Sequence, residues 1–314
     1  MSPRSRTRVI IDTDIAAGIP ERDIDDALAI IMAANSPELD LAAITLTYGN
    51  DSLDNVDTAM NELARHMEKT GRALPAVGRG AAGSADLGLE TAATRLMAET
   101  LESEPAIILA IGPLTNIASL IELRPDLQER IEAVVAVAGR KPGQRFRTGA
   151  HPRSHPDLNF ERHPDAFGTL LASEIPIVLA PFEVSSKVFL EGADLDRLAG
   201  NDTPVAAFLE RAGRDWLAFW ESTFSHPGVP VKGFNPFDTL AVAWLTDRDL
   251  LQFSRVSLAI EEDDYDPSET VVQGTGAGRK LYLHARPAGE AAEATYIHDV
   301  ARDGFVRSLL ERLF

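Results

Sequence analysis

Residues 8–31 read RVIIDTDIAAGIPERDIDDALAII, and the fold follows from the change of period inside this stretch. Val9, Ile10 and Ile11 form a short apolar run that stops at Asp12, as a strand buried on both faces does. From Ile24 the pattern turns helical. Ala27, Leu28, Ile30 and Ile31 supply an apolar face, and Ser36-Pro37 ends the helix at about Asn35. The same strand-then-helix unit recurs downstream. Strands are expected at Leu39–Leu46, Leu74–Val77, Ala106–Ile111, Ile131–Ala138 and Ile175–Ala180. Helices are expected at about Asp51–Thr70, Leu87–Glu102, Leu114–Leu123 and Pro164–Ala172. This rhythm predicts an α/β fold with a mainly parallel, Rossmann-like open sheet and helices on both faces.

After Pro181 the rhythm loosens into an elaborated C-terminal third. Helices are expected at Asp194–Ala199, Pro204–Phe224 and Pro236–Leu245. Strands follow at Phe253–Ile260, Thr270–Gln273 and Leu281–Ala285, then a last helix from about Asp299 to Leu313. Gly139–Pro156, rich in Arg, Lys, Gly, Pro and His, reads as a long loop of the kind that carries function or moves. No internal repeat or low-complexity linker divides the chain, so a single domain over residues 1–314 is expected.

Composition narrows the function. With 45% hydrophobic and 25% charged residues among 314, the chain is globular rather than disordered or fibrous. Lys+Arg 30 against Asp+Glu 48 gives a net charge of −18, a field that repels a phosphate backbone and argues against nucleic-acid partners. The absence of cysteine removes disulfides, thiolate metal sites and cysteine nucleophiles. The basic N-terminus is followed by only Val9–Ile11 before Asp12, too short for a signal-peptide core. A cytoplasmic protein without a membrane partner is expected.

Ligands of open parallel sheets bind beyond the carboxyl ends of the strands. Asp12 and Asp14 lie at such an end, and Asp23, Asp25 and Asp26 lead into the next helix. Helix capping accounts for one or two of these carboxylates. Five of them repel one another unless a cation or hydrogen-bond donors compensate, and a thiol-free oxygen-donor set points to a hard cation.

Two families open with strand-Asp-x-Asp. Phosphatases of the haloacid-dehalogenase type also need a later Lys and a paired acidic motif, which find no convincing place here. The chain more closely resembles the ribonucleoside hydrolases, through five ordered matches between residue 9 and about residue 245. These are Val9–Asp14 with Asp25–Ile30, the Ala43–Asn50 segment ending Tyr48-Gly49-Asn50, the Gly112–Ala118 turn, Asp157–Phe160 with Asp165-Ala166, and Pro236–Ala241. The resemblance implies a tightly bound Ca²⁺ that holds the ribose 2′- and 3′-hydroxyls and one water. Its ligands would be Asp14, Asp26, Asp238 and the backbone carbonyl of Ile111. Asp14 would also accept the proton of the water that attacks C1′. Asp25, Asn50, Asp157 and Asn159 would hold sugar hydroxyls. The implied activity is hydrolysis of the N-glycosidic bond of a ribonucleoside or related riboside, a step of purine or pyrimidine salvage, by a homodimer or homotetramer without an organic cofactor.

Structural readings stand beside these. Asn50 and Asn159 also suit turns, Asp238 could cap the helix that follows it, and Asn116 suits a structural role. Trp216, Phe219, Trp220 and Phe224 recur at helical spacing, which by default means core packing, although the family places base-stacking side chains in this region. The chain also departs from the family pattern. Ile15–Ile24 lengthens the usual link, leaving Asp23 and Asp25 as competing assignments, and Asp157 replaces a Glu. Phe237 stands where many purine-using members carry the His associated with protonating the leaving base. His226, in the preceding loop, is the first replacement candidate, and His151 and His155 could also approach the pocket. The rival to turnover is a Ca²⁺-dependent riboside-binding or sensor protein.

Overall fold

The computed structural model describes residues 6–148, 151–266, 268, 278–289 and 294–314. The N-terminal half alternates as expected: β1 (Thr7–Thr13), α1 (Asp25–Asn35), β2 (Leu39–Leu46), α2 (Leu53–Lys69), β3 (Val77–Arg79), α3 (Ala92–Ser103), β4 (Ala106–Ala110), α4 (Thr115–Leu123) and β5 (Ile131–Ala136). The middle comprises β6 (Phe146–Arg147), β7 (Ser154–His155), α5 (Leu158–Arg162), α6 (Pro164–Leu171), β8 (Ile177–Leu179), α7 (Phe182–Ser185), β9 (Leu190–Glu191), α8 (Gly192–Ala199) and α9 (Pro204–Phe224). The chain closes with β10 (Gly233–Phe234), α10 (Thr239–Thr246), β11 (Leu251–Asp264), β12 (Arg279–Pro287), β13 (Ala294–Val300) and α11 (Arg302–Arg312).

The main sheet runs β12-β11-β13-β8-β5-β4-β1-β2-β3. From β13 to β3 every neighbouring pair is parallel, and only the pairings of β11 are antiparallel. Successive strand residues face opposite layers. Val9 and Ile11 pack with α1, α2, α9, α10 and α11, whereas Ile10 packs with α3, α4 and α6. Both faces are therefore covered, and the apolar strands need no polar side. The chain leaves β1 toward β2 and β3, then returns to place β4 on the other flank of β1. That reversal makes the carboxyl ends of β1 and β4 a topological switch point, where the loops splay and leave a crevice.

Several boundaries differ from expectation for local reasons. The third strand begins at Val77 rather than Leu74, because Pro75 has no N–H to donate and restricts Leu74. The helix expected from Leu87 begins at Ala92, where Thr91 and Thr94 form a capping box. The expected loop Gly139–Pro156 contains a small hairpin, with Phe146 paired to His155 and Arg147 to Ser154. The expected strand Thr270–Gln273 lies outside the described residues. The sequence reading missed β13 and began the last helix three residues early. Ala294–Val300 includes His298 and Asp299 and lacks an apolar run, yet it is paired on both sides, parallel to β8 and antiparallel to β11. Tertiary pairing overrides weak local propensity there.

Asn116 fastens the switch point. Its Nδ2 donates to Asp12 Oδ1 at 2.8 Å and to the Leu46 carbonyl at 3.0 Å, and its Oδ1 accepts from Ala81 N–H at 2.8 Å. It thus ties the ends of β1 and β2 to the loop after β3 rather than capping its own helix, which has no side-chain cap. Asn116→Ala removes the donor to the Leu46 carbonyl and the acceptor of the Ala81 N–H, while Asp12 keeps its bond from Thr45. It is expected to lower the unfolding free energy by at least about 2 kcal/mol, read as a shift of the urea midpoint with the m-value unchanged. A loss under about 1 kcal/mol would mean that water replaces the side chain.

Candidate active site

Beyond the carboxyl end of β1, the chain brings Asp14, Asp23, Asp25, Asp26 and Asp238 together. Asp14 follows β1, Asp25 and Asp26 open α1, and Asp238 sits at the start of α10. Asp14 Oδ2 accepts from the Asn50 N–H at 2.7 Å, and Asn50 Nδ2 donates to Asp23 Oδ1 at 3.1 Å and to Asp26 Oδ2 at 3.4 Å. Thr13 Oγ1 donates to Asp26 Oδ1. Asp26 and Asp238 share a side-chain hydrogen bond, and the Asp238 N–H donates to Asp25. Oxygens of Asp23, Asp25 and Asp26 lie within 4.8 Å of one another. Although Asp238 holds the cap position of α10, its side chain makes no capping bond. Its carboxylate turns toward the cluster instead.

The approach of Asp14 requires two glycines. A Cβ on Gly49 would lie 2.0 Å from Asp14 Oδ2, and one on Gly112 would lie 3.1 Å from Asp14 Oδ1 and 2.8 Å from Thr47 Cγ2. Each loop must bring bare backbone against the carboxylate, which explains why Gly-Asn and Gly-Pro stand after the two strands that flank the crevice.

Burial, followed by the neighbouring carboxylates, holds Asp14, Asp25, Asp26 and Asp238 well above the ordinary 3.8. Asp23, partly buried, is pushed up to about 6 by desolvation, with Arg22 opposing. Asp12 is pushed up to about 7 by burial despite donors from Asn116 and Thr45. Asp14 Oδ1 and Asp25 Oδ1 are buried with no hydrogen-bond partner. Among the described residues, no Lys, Arg or His forms an ion pair with Asp14, Asp25, Asp26 or Asp238. Converging, partly orphaned oxygen donors without an ion-pair partner fit a hard divalent cation.

Asp23, Asp25 and Asp238 open onto a cavity of about 250 Å³, whose lining does not include Asp14 or Asp26. Asp25, Asn50, Ile111, Asp157, Asn159, Phe237 and Asp238 all line it. Asn159 Nδ2 donates to the Ile111 and Val137 carbonyls, each at 3.1 Å, so the loops after β4 and β5 are bridged at the wall. Asp157 Oδ2 accepts from the Gly139 N–H at 2.7 Å. Burial raises the Asp157 carboxyl, with Arg140 and Lys280 opposing that rise. The rest of the wall is aromatic. Trp216, Phe219, Trp220 and Phe224 all line the cavity while packing on one another, so the stripe on α9 is both core and wall.

His226 is not brought to this cavity. It is exposed on the turn after α9, its N–H bonded to the Val229 carbonyl at 3.2 Å, and it is absent from the lining. α9 ends at Phe224, and His226 pairs with Val229 in the turn that precedes β10. His155, presented by the small hairpin, lines the wall instead. Its ring lies parallel to Trp220 at 5.8 Å and stacks on Phe182 at 5.4 Å. Burial, then Arg153 and His151, pushes it down to about 4. Sequence reasoning also missed Phe146 and Phe182. Phe182 carried a usable signal, since it follows directly on the end of a predicted parallel strand.

Residues 9–307 match the model of the family described as inosine-uridine preferring nucleoside hydrolase. Among curated proteins, the chain is 28% identical to the pyrimidine-specific ribonucleoside hydrolase RihA of Citrobacter koseri and 29% identical to that of Escherichia fergusonii. In each case the alignment covers 92% of this chain and 94% of the relative. Among solved structures, the plant nucleoside hydrolase PpNRh1 superposes with a TM-score of 0.76 at 21% identity, covering 98% of this chain and 99% of that one. The purine-preferring ribonucleoside hydrolase from Gardnerella vaginalis gives 0.74 at 19%, covering 98% of each chain. At these identities the superpositions establish the fold.

The cluster makes stability depend on pH in a definite direction. Asp12, at about 7 folded against an ordinary 3.8, keeps a proton in the native state over a range where the unfolded chain has lost it. The raised carboxyls of the cluster act in the same sense. With chelator present, thermal stability should therefore fall as pH rises from about 4 to 7. Added divalent cation should raise the midpoint most at the upper end of that range. A midpoint that rises with pH in chelator would contradict the buried cluster.

Proposed function

Because the chain belongs to the inosine-uridine preferring nucleoside hydrolase family, and is thereby a hydrolase of N-glycosyl bonds, we propose that it cleaves ribonucleosides or related ribosides between C1′ and the aglycone nitrogen, with Ca²⁺ bound. The observation that carries this reading is a cluster of buried carboxylates, two of their oxygens without a hydrogen-bond partner, at the edge of a cavity with an aromatic wall. Asp14, Asp26, Asp238 and the Ile111 carbonyl would hold the cation, and this many oxygen donors suits calcium better than the smaller magnesium. When bound, the cation supplies Lewis acidity toward water and toward ribose hydroxyl oxygens.

The protein's own groups do the remaining work. Asp14 is fixed by the Asn50 N–H through one oxygen, and its other oxygen has no protein donor, so it is placed to accept a proton from the attacking water. Asp25, Asn50, Asp157 and Asn159 surround the space for the sugar. Asn159 spends both amide hydrogens on backbone carbonyls, which leaves its Oδ1 to accept from a ribose hydroxyl. Contacts to those hydroxyls strengthen as positive charge develops on the ring. Phe237 stacks on Phe182 at 5.0 Å and forms part of the surface for the aglycone. His226, outside the lining, has no place in this set. The relatives' names include both pyrimidine-specific and purine-preferring enzymes, and the base pocket decides between such preferences.

Asp14→Asn keeps the shape and one oxygen donor but removes the proton acceptor. Ribose release should fall by about 10²–10⁴-fold, while a riboside still binds in the presence of calcium. Chelator should abolish release by the wild type, and calcium should restore it. Turnover by Asp14→Asn at the wild-type rate would place the base elsewhere.

A further inference from the structure

Among the described residues, the aromatic half of the cavity offers a departing base no ionisable donor except an imidazole held neutral. Phe146, Phe182, Trp216, Trp220, Phe224 and Phe237 form most of it. Trp220 tilts against Phe224 at 4.5 Å and Phe237 at 6.2 Å, and Phe182 lies against Phe237 at 5.0 Å. Two polar side chains interrupt these rings. Ser185 gives its hydrogen to the Pro181 carbonyl at 3.4 Å. His155 lies with Nε2 3.1 Å from Thr148 Oγ1, and burial keeps it unprotonated at neutral pH. Uracil or hypoxanthine leaves as an anion unless it is protonated, and this wall is poorly equipped to protonate it.

Building on the nucleoside-hydrolase reading above, we infer that the preferred substrates are ribosides with a cationic planar aglycone, the N-ribosylpyridinium class. In such a substrate the ring nitrogen already carries the positive charge. When the C1′–N bond breaks, its electron pair stays on nitrogen and the ring departs as neutral pyridine. The water oxygen forms the new bond to C1′, and its proton passes to the carboxylate base. The balance is N-ribosylpyridinium plus water giving ribose, pyridine and a proton. No acid is needed on the leaving group.

The same wall suits recognition of the charge. A cation over the face of Trp or Phe is attracted by the ring quadrupole, most strongly when desolvated. The adjoining carboxylates and the net charge of −18 add a field of the same sense. The fixed cations nearby define where the ring would sit. Arg140 lies 4.0 Å over Phe146 and 4.8 Å over Tyr282, so the seat falls on Trp216, Trp220, Phe224, Phe182 and Phe237. Arg153, 5.9 Å from the Phe224 ring, is exposed and is not part of the lining.

The test measures ribose release with calcium from N-ribosylpyridinium, uridine, inosine and the neutral, activated 4-nitrophenyl riboside. The kcat/KM for N-ribosylpyridinium should exceed those for uridine and inosine by at least about 100-fold, the scale of a missing general acid. Trp220→Leu should raise KM for the pyridinium riboside about tenfold and KM for 4-nitrophenyl riboside less than threefold. Phe237→His, which adds an ionisable donor to the wall, should narrow the preference over inosine by about tenfold or more and supplies a second variant should Trp220→Leu fail to fold. Uridine or inosine cleaved as efficiently as the pyridinium riboside would overturn the inference and leave the hydrolase reading standing. Equal KM effects of Trp220→Leu on charged and neutral ribosides would overturn the cation-recognition part. Release from none of the four would overturn the functional reading as well.

Discussion

The constraint on which the rest of the structure depends is the repulsion among buried carboxylates at the carboxyl end of β1. Each is deprived of water and faces others of like charge, so the site is unfavourable in isolation. The fold holds it in place by spending structure on it. Asn116 and Thr45 fix Asp12, Asn50 bridges Asp14, Asp23 and Asp26, and Gly49 and Gly112 let backbone close over Asp14. A bound cation would convert the largest local penalty into binding energy. That makes the empty and loaded states thermodynamically different proteins.

The sheet explains why this cluster forms where it does. Asp14 and Ile111 come from the loops after β1 and β4, which lie side by side with opposite onward connections. Asp25 and Asp26 enter because α1 follows β1 directly, and Asp238 because α10 packs next to α1. Nothing but the main chain's topology brings residue 238 to residues 14 and 26. The aromatic wall has a different origin, in α7, α9 and the small hairpin β6–β7, all outside the parallel core.

This difference sets what was legible in the sequence. The parallel core was readable because its strands are short apolar runs and its helices are strongly periodic, and the carboxylates were readable because they sit at strand ends and helix starts. The turn after Gly112 and the Asn50 and Asn159 positions were found by resemblance, and the structure brings Asn50 and Asn159 to one cavity. Asn116 showed no sign of its three-way clamp, since its partners come from Asp12, Leu46 and Ala81, far apart in sequence. The placement of His155 over His226 was equally hidden. Both are loop histidines in sequence, and only the pairing of Phe146 with His155 turns one of them inward. β13 escaped because its stability lies in two flanking strands rather than in its own residues.

The two halves of the cavity meet at Phe237 and Asp238, neighbours in the chain with opposite tasks. Asp238 belongs to a set whose geometry is tightly bound, because charge interactions in a dry site change steeply with small displacements. Phe237 belongs to a set held by ring packing, where contacts are individually weak and shapes can be exchanged at modest cost. A site divided in this way can change its aromatic wall without disturbing the carboxylate cluster. The junction itself is the exception. A side chain at position 237 lines the cavity while its backbone leads directly into Asp238, whose N–H donates to Asp25. On the proposed reading, a benzene ring there supplies stacking surface in place of a proton donor, and specificity would then be carried by how readily the aglycone departs by itself.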